Sequence, residues 1–296
     1  MFLEFHNNEI INQSTNIVFI ALMPKKTRTR RISYHRPISL ITSLYKIIAK
    51  VLSRQLRKVL QDTIFLTQGV FVERRQILDV VLIANELVDE KRRSREEGVV
   101  FKINFEKAYD HVDWGILDHV LERKSFSSKW RSWMRRCLYL TTFAISMNGN
   151  AKGWVKAYRG LRQGDPLSSF LFTIVVDVLS KLVVIAKEKG LFEGFLVSKN
   201  RTRVSHLQFV NNTIFFFRAS LEELQSLELI LLVFRCLSRL TIDLNKSTLS
   251  RINISQDQTA RLVSLLDCVV SEWLLMYLGL PLRGPKINFL LGSSVE

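Results

Sequence analysis

Side chains able to do chemistry concentrate in three short segments of this 296-residue chain. Lys102-Ile-Asn104-Phe-Glu106-Lys107-Ala-Tyr109-Asp110-His-Val-Asp113-Trp114 places polar groups at the end of an apolar run and just beyond it. Gly160-Leu-Arg162-Gln163-Gly164-Asp165-Pro166-Leu-Ser168-Ser169 is a glycine-flanked polar loop. His206-Leu-Gln-Phe209-Val210-Asn211-Asn212-Thr213 carries an amide pair between two apolar runs. A polar group at a strand end and a polar pair at a hairpin tip can converge on one point of a sheet. When those groups are carboxylates, they can hold hard divalent ions beside phosphate oxygens. Here the three positions hold amides, whose oxygens can ligate a metal but bring no charge. On residue type alone, Asn211-Asn212 reads as a type I′ turn pair.

Other chemistries are missing. The chain has no G-x-G-x-x-G, H-E-x-x-H or G-x-S-x-G. Gly279-Leu-Pro-Leu-Arg-Gly284-Pro285-Lys286 imitates a phosphate loop, but Pro285 splits the Gly-Lys pair and removes a backbone donor. The five histidines are scattered, and each is assigned to packing or surface. Cys137, Cys236 and Cys268 form no C-x-x-C, which argues against a zinc site or disulfide framework and suits a reducing compartment.

Elements to position these residues follow from periodicity. Helices are expected over 39–61, 75–93, 114–124, 129–140 and 221–237. Asp165-Pro166 reads as an N-cap and first helical position, opening a helix to about Lys189. Val99–Phe105 is β-branched and aromatic, hence a strand. Thr142–Met147 turns at Asn148-Gly149-Asn150 towards a partner near Trp154–Tyr158, and Val204–Arg218 reads as a hairpin broken at Asn211-Asn212. With 47% hydrophobic and 10% aromatic residues, no fixed-period repeat and no Gly/Ser-rich linker, the chain reads as one unit of interleaved helices and strands. The most apolar stretch, 170–186, contains Asp177 and Lys181, so no membrane partner is expected. Without a basic, apolar leader, the expected location is intracellular, nuclear or cytoplasmic.

Lys and Arg total 43 against 27 Asp and Glu, a formal charge of +16. Residues 10–61 contain eleven basic side chains and no acid. Lys25, Lys26, Arg28, Arg30, Arg31 and Arg36 lie in a loop or short strands. Lys46, Lys50 and Arg54 stack at i, i+4 and i+8 on the first long helix, beside an apolar face of Ile41, Leu44, Ile48, Val51, Leu52, Leu56 and Val59. A block of this kind points to a polyanion partner, nucleic acid or anionic lipid.

In order and spacing the three segments resemble the palm of a reverse transcriptase, that of plant LINE-type non-LTR retrotransposons. Arg36-Pro37-Ile-Ser-Leu, Gln68-Gly69-Val-Phe71, Leu244-Asn245-Lys246-Ser247 and Tyr277-Leu278-Gly279-Leu-Pro281-Leu agree, so the resemblance runs from about Phe19 to Lys286. It implies an α+β, right-hand polymerase fold: an antiparallel palm sheet backed by helices, with fingers and an incomplete thumb. Residues 1–98 are the expected fingers-like region, 99–249 the palm, and 250–296 the palm end and start of the thumb. RNA template, DNA primer and dNTP are the implied partners, and Mg²⁺ the implied cofactor.

The resemblance also assigns roles. The family has Asp at the positions of Asn104, Asn211 and Asn212, so no metal site is expected intact and the chain is expected to be polymerase-dead. A non-catalytic nucleic-acid-binding remnant using the basic block is the alternative. Tyr109 matches the aromatic beneath the incoming sugar. Gln163 and Gly164 match the loop touching nucleotide and template, Lys246 a lysine near the triphosphate, and Arg36 and Lys102 phosphate contacts. Tyr277, Leu278 and Gly279 match the primer grip. The family has glycine where this chain has Arg74, Ser125, Arg136 and Arg239, proline at Ser169 and alanine at Val210. Each difference, like Asp→Asn, can arise from one C→T change, the pattern of an element decaying by cytosine deamination. Where a lost glycine held positive φ, its replacement is expected to be strained.

Overall fold

Among the described residues, alternating β-branched and aromatic runs build two larger sheets and two two-stranded ones, and the helical-period segments cover them. The computed structural model describes residues 2–27, 29, 31–65, 67–69, 76–147, 150–197, 202–256, 262, 268–270 and 275–282. Arg28, Arg30, Arg74, the Asn148-Gly149 tip, the 284–286 segment and the thumb expected after Leu282 lie outside them. The order is α1 (Phe2–Asn8), β1 (Ile17–Pro24), β2 (His35–Ile41), α2 (Ser43–Thr63), α3 (Ile77–Arg93), β3 (Gly98–Asn104), α4 (Trp114–Arg123), α5 (Ser128–Tyr139), β4 (Thr142–Met147) and β5 (Asn150–Lys156). Then come α6 (Ser168–Glu188), β6 (Phe195–Val197), β7 (Thr202–Val204), β8 (His206–Phe209), β9 (Asn212–Phe217), α7 (Leu221–Ser238), β10 (Thr248–Ile252), β11 (Val269–Val270), β12 (Leu275–Tyr277) and β13 (Leu280–Leu282).

One sheet runs β2-β1-β4-β5, drawing strands from both ends of the N-terminal half. The other runs β11-β10-β3-β9-β8, antiparallel except for the two-residue edge strand β11, which lies parallel to β10. Alternation along β3 divides the core. Val99, Phe101 and Ile103 pack with α2, α4, α6 and α7, while Val100 packs on the other side with α3, β12 and β13. Asn104 and Lys102 share the pleat face of Val100.

Helices α4 and α5 match their expected spans within a residue. Three expectations need correction. Helix α2 starts at Ser43, because residues 39–41 pair with β1; Tyr45, Ile48, Ala49, Leu52, Leu56 and Leu60 are buried. Leu44, Val51 and Val59, expected in the core, are 46%, 50% and 43% exposed, since the packed stripe is narrower than the apolar one. Helix α6 begins at Ser168, not at Pro166; Asp165 Oδ1 accepts from Leu167 N at 2.9 Å and caps the preceding turn. Helix α6 has the length and composition to cross a bilayer, but it is the core helix here, with Asp177 paired to Lys124 at 2.7 Å.

Two of the expected lost-glycine positions do lie in the left-handed region: Ser125 at φ 63° and Arg239 at φ 58°, the latter closing α7. Arg136 instead lies in the last turn of α5. Substituting glycine should therefore have opposite effects. Ser125→Gly and Arg239→Gly relieve backbone strain and should each stabilise by roughly 0.5–1 kcal/mol. Arg136→Gly should destabilise by a similar amount, about 1 kcal/mol, through lost helix propensity. Urea unfolding of the three variants reads the sign directly.

Candidate active site

Asn104 ends β3 directly across from Asn212, the first residue of β9. Phe209 pairs with Asn212, so the two central residues of the β8–β9 hairpin are Val210 and Asn211. This corrects the turn reading of the amide pair. Of the tip residues only Val210 has positive φ, 53°, whereas a type I′ turn needs it at both centres. A β-branched residue there is strained. Asn212 Nδ2 donates to Asn211 Oδ1 at 3.1 Å. Asn104 Oδ1 is buried and makes no hydrogen bond.

Beyond Asn104 the chain folds back under the 160–164 loop. Leu161 N donates to Tyr109 O at 2.7 Å, and Gly160 N to Val112 O at 2.8 Å. Gly160, at φ +92°, lies so close that an added Cβ would sit 3.0 Å from Asp110 O. Tyr109 stacks on Phe172 with centroids 5.0 Å apart and planes at 14°. Its pKa is raised by burial, against a hydrogen bond with Ser169. Ser39 N donates to Gln163 O at 2.9 Å, joining the loop to β2; Gly164 holds φ +100° beside Ser39 O. The 160–164 loop thus ties the Tyr109 backbone, through Leu161, to β2, through Gln163 and Gly164.

The residues that lock this loop were not singled out from sequence. Arg162 is buried; its Nη2 donates to Asn16 Oδ1 (2.7 Å), Cys137 O (2.5 Å) and Thr141 Oγ1. Its guanidinium lies 4.2 Å from the Tyr45 ring centroid, and Nη1 is 3.8 Å from Asp165 Oδ2. Tyr45 OH donates to the same Asp165 Oδ2 at 2.9 Å. The Arg-x-x-Asp spacing was a visible signal; Tyr45 and Asn16, more than a hundred residues away, were not.

The remaining expected residues are distributed around the site. Lys102 Nζ donates to Met276 O at 2.7 Å, so it ties β3 to β12; burial lowers its pKa. Lys246 pairs with Asp243, whose backbone N donates to Asn104 O at 2.8 Å, which puts the lysine beside the end of β3. Leu278 (φ 55°) and Gly279 (φ 83°) make the tight β12–β13 turn, and the preceding Tyr277 is buried against β8. Arg36 is exposed on the edge strand β2, with Lys25, Lys26 and Arg31 in the β1–β2 connection. Lys46, Lys50 and Arg54 form an exposed row along α2.

Residues 23–282 match the family described as reverse transcriptase (RNA-dependent DNA polymerase). The chain belongs to the reverse transcriptase family. Within the family, the chain is similar to the transposon TX1 149 kDa protein of Xenopus laevis (31% identical, covering 53% of this chain and 12% of that protein). The retrotransposable element R2 Pol polyprotein of Popillia japonica is 25% identical, over 53% of this chain and 22% of that protein. An uncharacterized mitochondrial protein of Arabidopsis thaliana is 46% identical over 26% of this chain and 62% of its own length. The chain therefore spans a small part of its transposon relatives. Apo telomerase of Candida tropicalis, at 12% identity, shares the fold with a TM-score of 0.59 over 83% of this chain and 52% of that one. The fold is the polymerase fold, with mostly antiparallel sheets backed by helices.

Reverse transcriptases generally use a divalent metal, which amide oxygens can ligate without neutralising its charge. Asn104, Asn211 and Asn212 supply no charge, and Asn211 Oδ1 already accepts from Asn212 Nδ2. Among the described residues no three His, Cys, Asp or Glu side chains converge. Asp113 caps α4 by accepting from Ile116 N at 3.0 Å.

Two stability predictions follow from the buried polar groups. Asp165→Asn leaves the Arg162 charge without its counterion and should cost about 3–5 kcal/mol. Tyr45→Phe should cost only about 1 kcal/mol, both measured by urea unfolding. His206 is buried among Thr67, Ser180 and Ser205 hydroxyls, and burial pushes its pKa down to about 3. Because the unfolded imidazole binds its proton near pH 6.5, its stability contribution is complete above about pH 6.5. It should fall by up to about 1.4 kcal/mol per pH unit as pH drops towards 3. A His206→Gln variant should flatten that slope by one proton in thermal melts across pH 4 to 7.

Proposed function

We propose that this chain is the reverse transcriptase domain of a plant LINE-type non-LTR retrotransposon, still shaped to bind RNA template and DNA primer but no longer able to polymerise. The observation that carries the second half is the triad Asn104, Asn211 and Asn212 at the metal-binding positions. Each ~1.4 kcal/mol of lost transition-state stabilisation slows the reaction tenfold. Loss of three unit charges around two divalent ions takes the rate to background. The likeness to the Arabidopsis protein supports the plant origin. Left-handed Ser125 and Arg239 support a decayed copy that lost glycines.

In this reading residues 1–98 belong to the fingers, 99–249 to the palm and 250–296 to the palm end and thumb. Tyr109 lies beneath the incoming sugar, and Gln163 and Gly164 meet nucleotide and template. Arg36 contacts phosphate directly. Lys102 and Lys246, which donate to Met276 O and Asp243 in the free protein, keep further N–H donors for phosphate. Tyr277, Leu278 and Gly279 grip the primer. The exposed α2 row and the β1–β2 connection carry the nucleic-acid backbone by charge. A remnant that only binds nucleic acid is favoured by that row, Lys46, Lys50 and Arg54, which no described carboxylate pairs.

Primer extension on an RNA template with Mg²⁺ tests the proposal. The chain as it stands should be inactive, and Asn104→Asp with Asn211→Asp and Asn212→Asp should restore extension by at least a hundredfold. Activity in the unaltered chain would overturn the carboxylate argument. Salt-dependent RNA binding without Mg²⁺ dependence, with both proteins folded and inactive, would establish the binding remnant.

A further inference from the structure

A cleft of about 960 Å³ opens in the helical layer, on the side of the β11-β10-β3-β9-β8 sheet away from Asn104 and Asn212. Phe65, Ile116, Val120, Val175, Val178 and Leu237 form most of its wall, from the segment after α2 and from α4, α6 and α7. Ion pairs close both ends. At one end Arg239 lies 3.5 Å from Asp113; at the other Lys124 meets the buried Asp177 at 2.7 Å.

The two ends differ in charge. The Asp113 end is balanced by Arg239. At the Lys124 end, Arg123 and Lys181 join Lys124 against Asp177 alone, with His119 also on the wall. Lys124 Nζ donates to Thr63 O and Asp177 Oδ2, both at 2.7 Å, leaving one of its three N–H donors for another acceptor. Arg123 and Lys181 are exposed at the mouth. An apolar cavity of this size with a few convergent polar groups has the character of a small-molecule site. A wholly apolar occupant would leave the positive end unmatched, and a hydrophilic anion would waste the walls.

We propose that this cleft binds an amphipathic monoanion, its apolar tail against Ile116, Val120, Val175 and Val178 and its anionic head at Lys124, Arg123 and Lys181. The site uses none of the polymerase residues, so it stands or falls independently of the proposed function.

Titration of the whole chain with 1-anilinonaphthalene-8-sulfonate, itself an apolar anion, tests the site by fluorescence. Saturable one-to-one binding is expected. It should weaken at least tenfold in Val178→Trp, which fills the cleft, and about threefold to fivefold in Lys181→Glu or Arg123→Glu, exposed positions whose change leaves folding intact. Non-saturable binding, or binding indifferent to all three substitutions, would overturn the proposal. Laurate and phosphatidylglycerol vesicles then serve as competitors. Displacement by laurate assigns a free fatty anion, displacement by vesicles alone assigns a lipid drawn from a bilayer, and displacement by neither overturns the site.

Discussion

A buried guanidinium in the 160–164 loop constrains everything around it. Taking Arg162 out of water is costly, and the cost is only partly offset: Nη2 and the charge are answered, while the buried Nη1 has an ion-pair contact but no hydrogen bond. The answers come from far apart in the chain: Asn16 before β1, Tyr45 on α2, Cys137 at the end of α5, Thr141 before β4, and Asp165 three residues on. Satisfying one side chain thereby fixes the β2-β1-β4-β5 sheet and two helices relative to the 160–164 loop. Gln163 and Gly164, the next residues, inherit that rigidity beside β2.

The site itself shows the opposite economy. Two neighbouring carboxylates at a hairpin tip repel each other until cations arrive. Asn211 and Asn212 carry no such repulsion and hydrogen-bond to each other instead. An amide at such a position avoids the like-charge repulsion of an acid, a familiar relation between active sites and stability. Elsewhere this chain carries the reverse burden. Ser125, Val210 and Arg239 occupy backbone conformations that glycine would adopt more readily.

Periodicity made most of the elements legible, since a 3.6-residue apolar repeat or a β-branched run acts within a few residues. The helices at 114–123 and 128–139 and the strand at 98–104 follow directly. What failed was local in appearance but not in cause. Residues 39–41 continue a helical pattern, yet β1 was available to pair with them. Asn211-Asn212 is a good turn pair in isolation, but the register of β8 against β9 moved the tip to Val210 and Asn211. Lys102, read as a phosphate contact, also meets a carbonyl from β12, and Lys246, read as lying near the triphosphate, also pairs with Asp243, contacts that periodicity does not show.

The amino-acid sequence by itself determined the composition of the site: which positions hold amides, where glycine permits a sharp loop, and where the positive charge lies. Those properties belong to single residues and survive any arrangement of the chain. Tertiary structure alone decided which groups meet, because contact depends on segments a hundred or more residues apart. It joined Asn104 to Asn212, buried Arg162 against Tyr45, left Asn104 Oδ1 without a partner, and opened an apolar cleft behind the sheet.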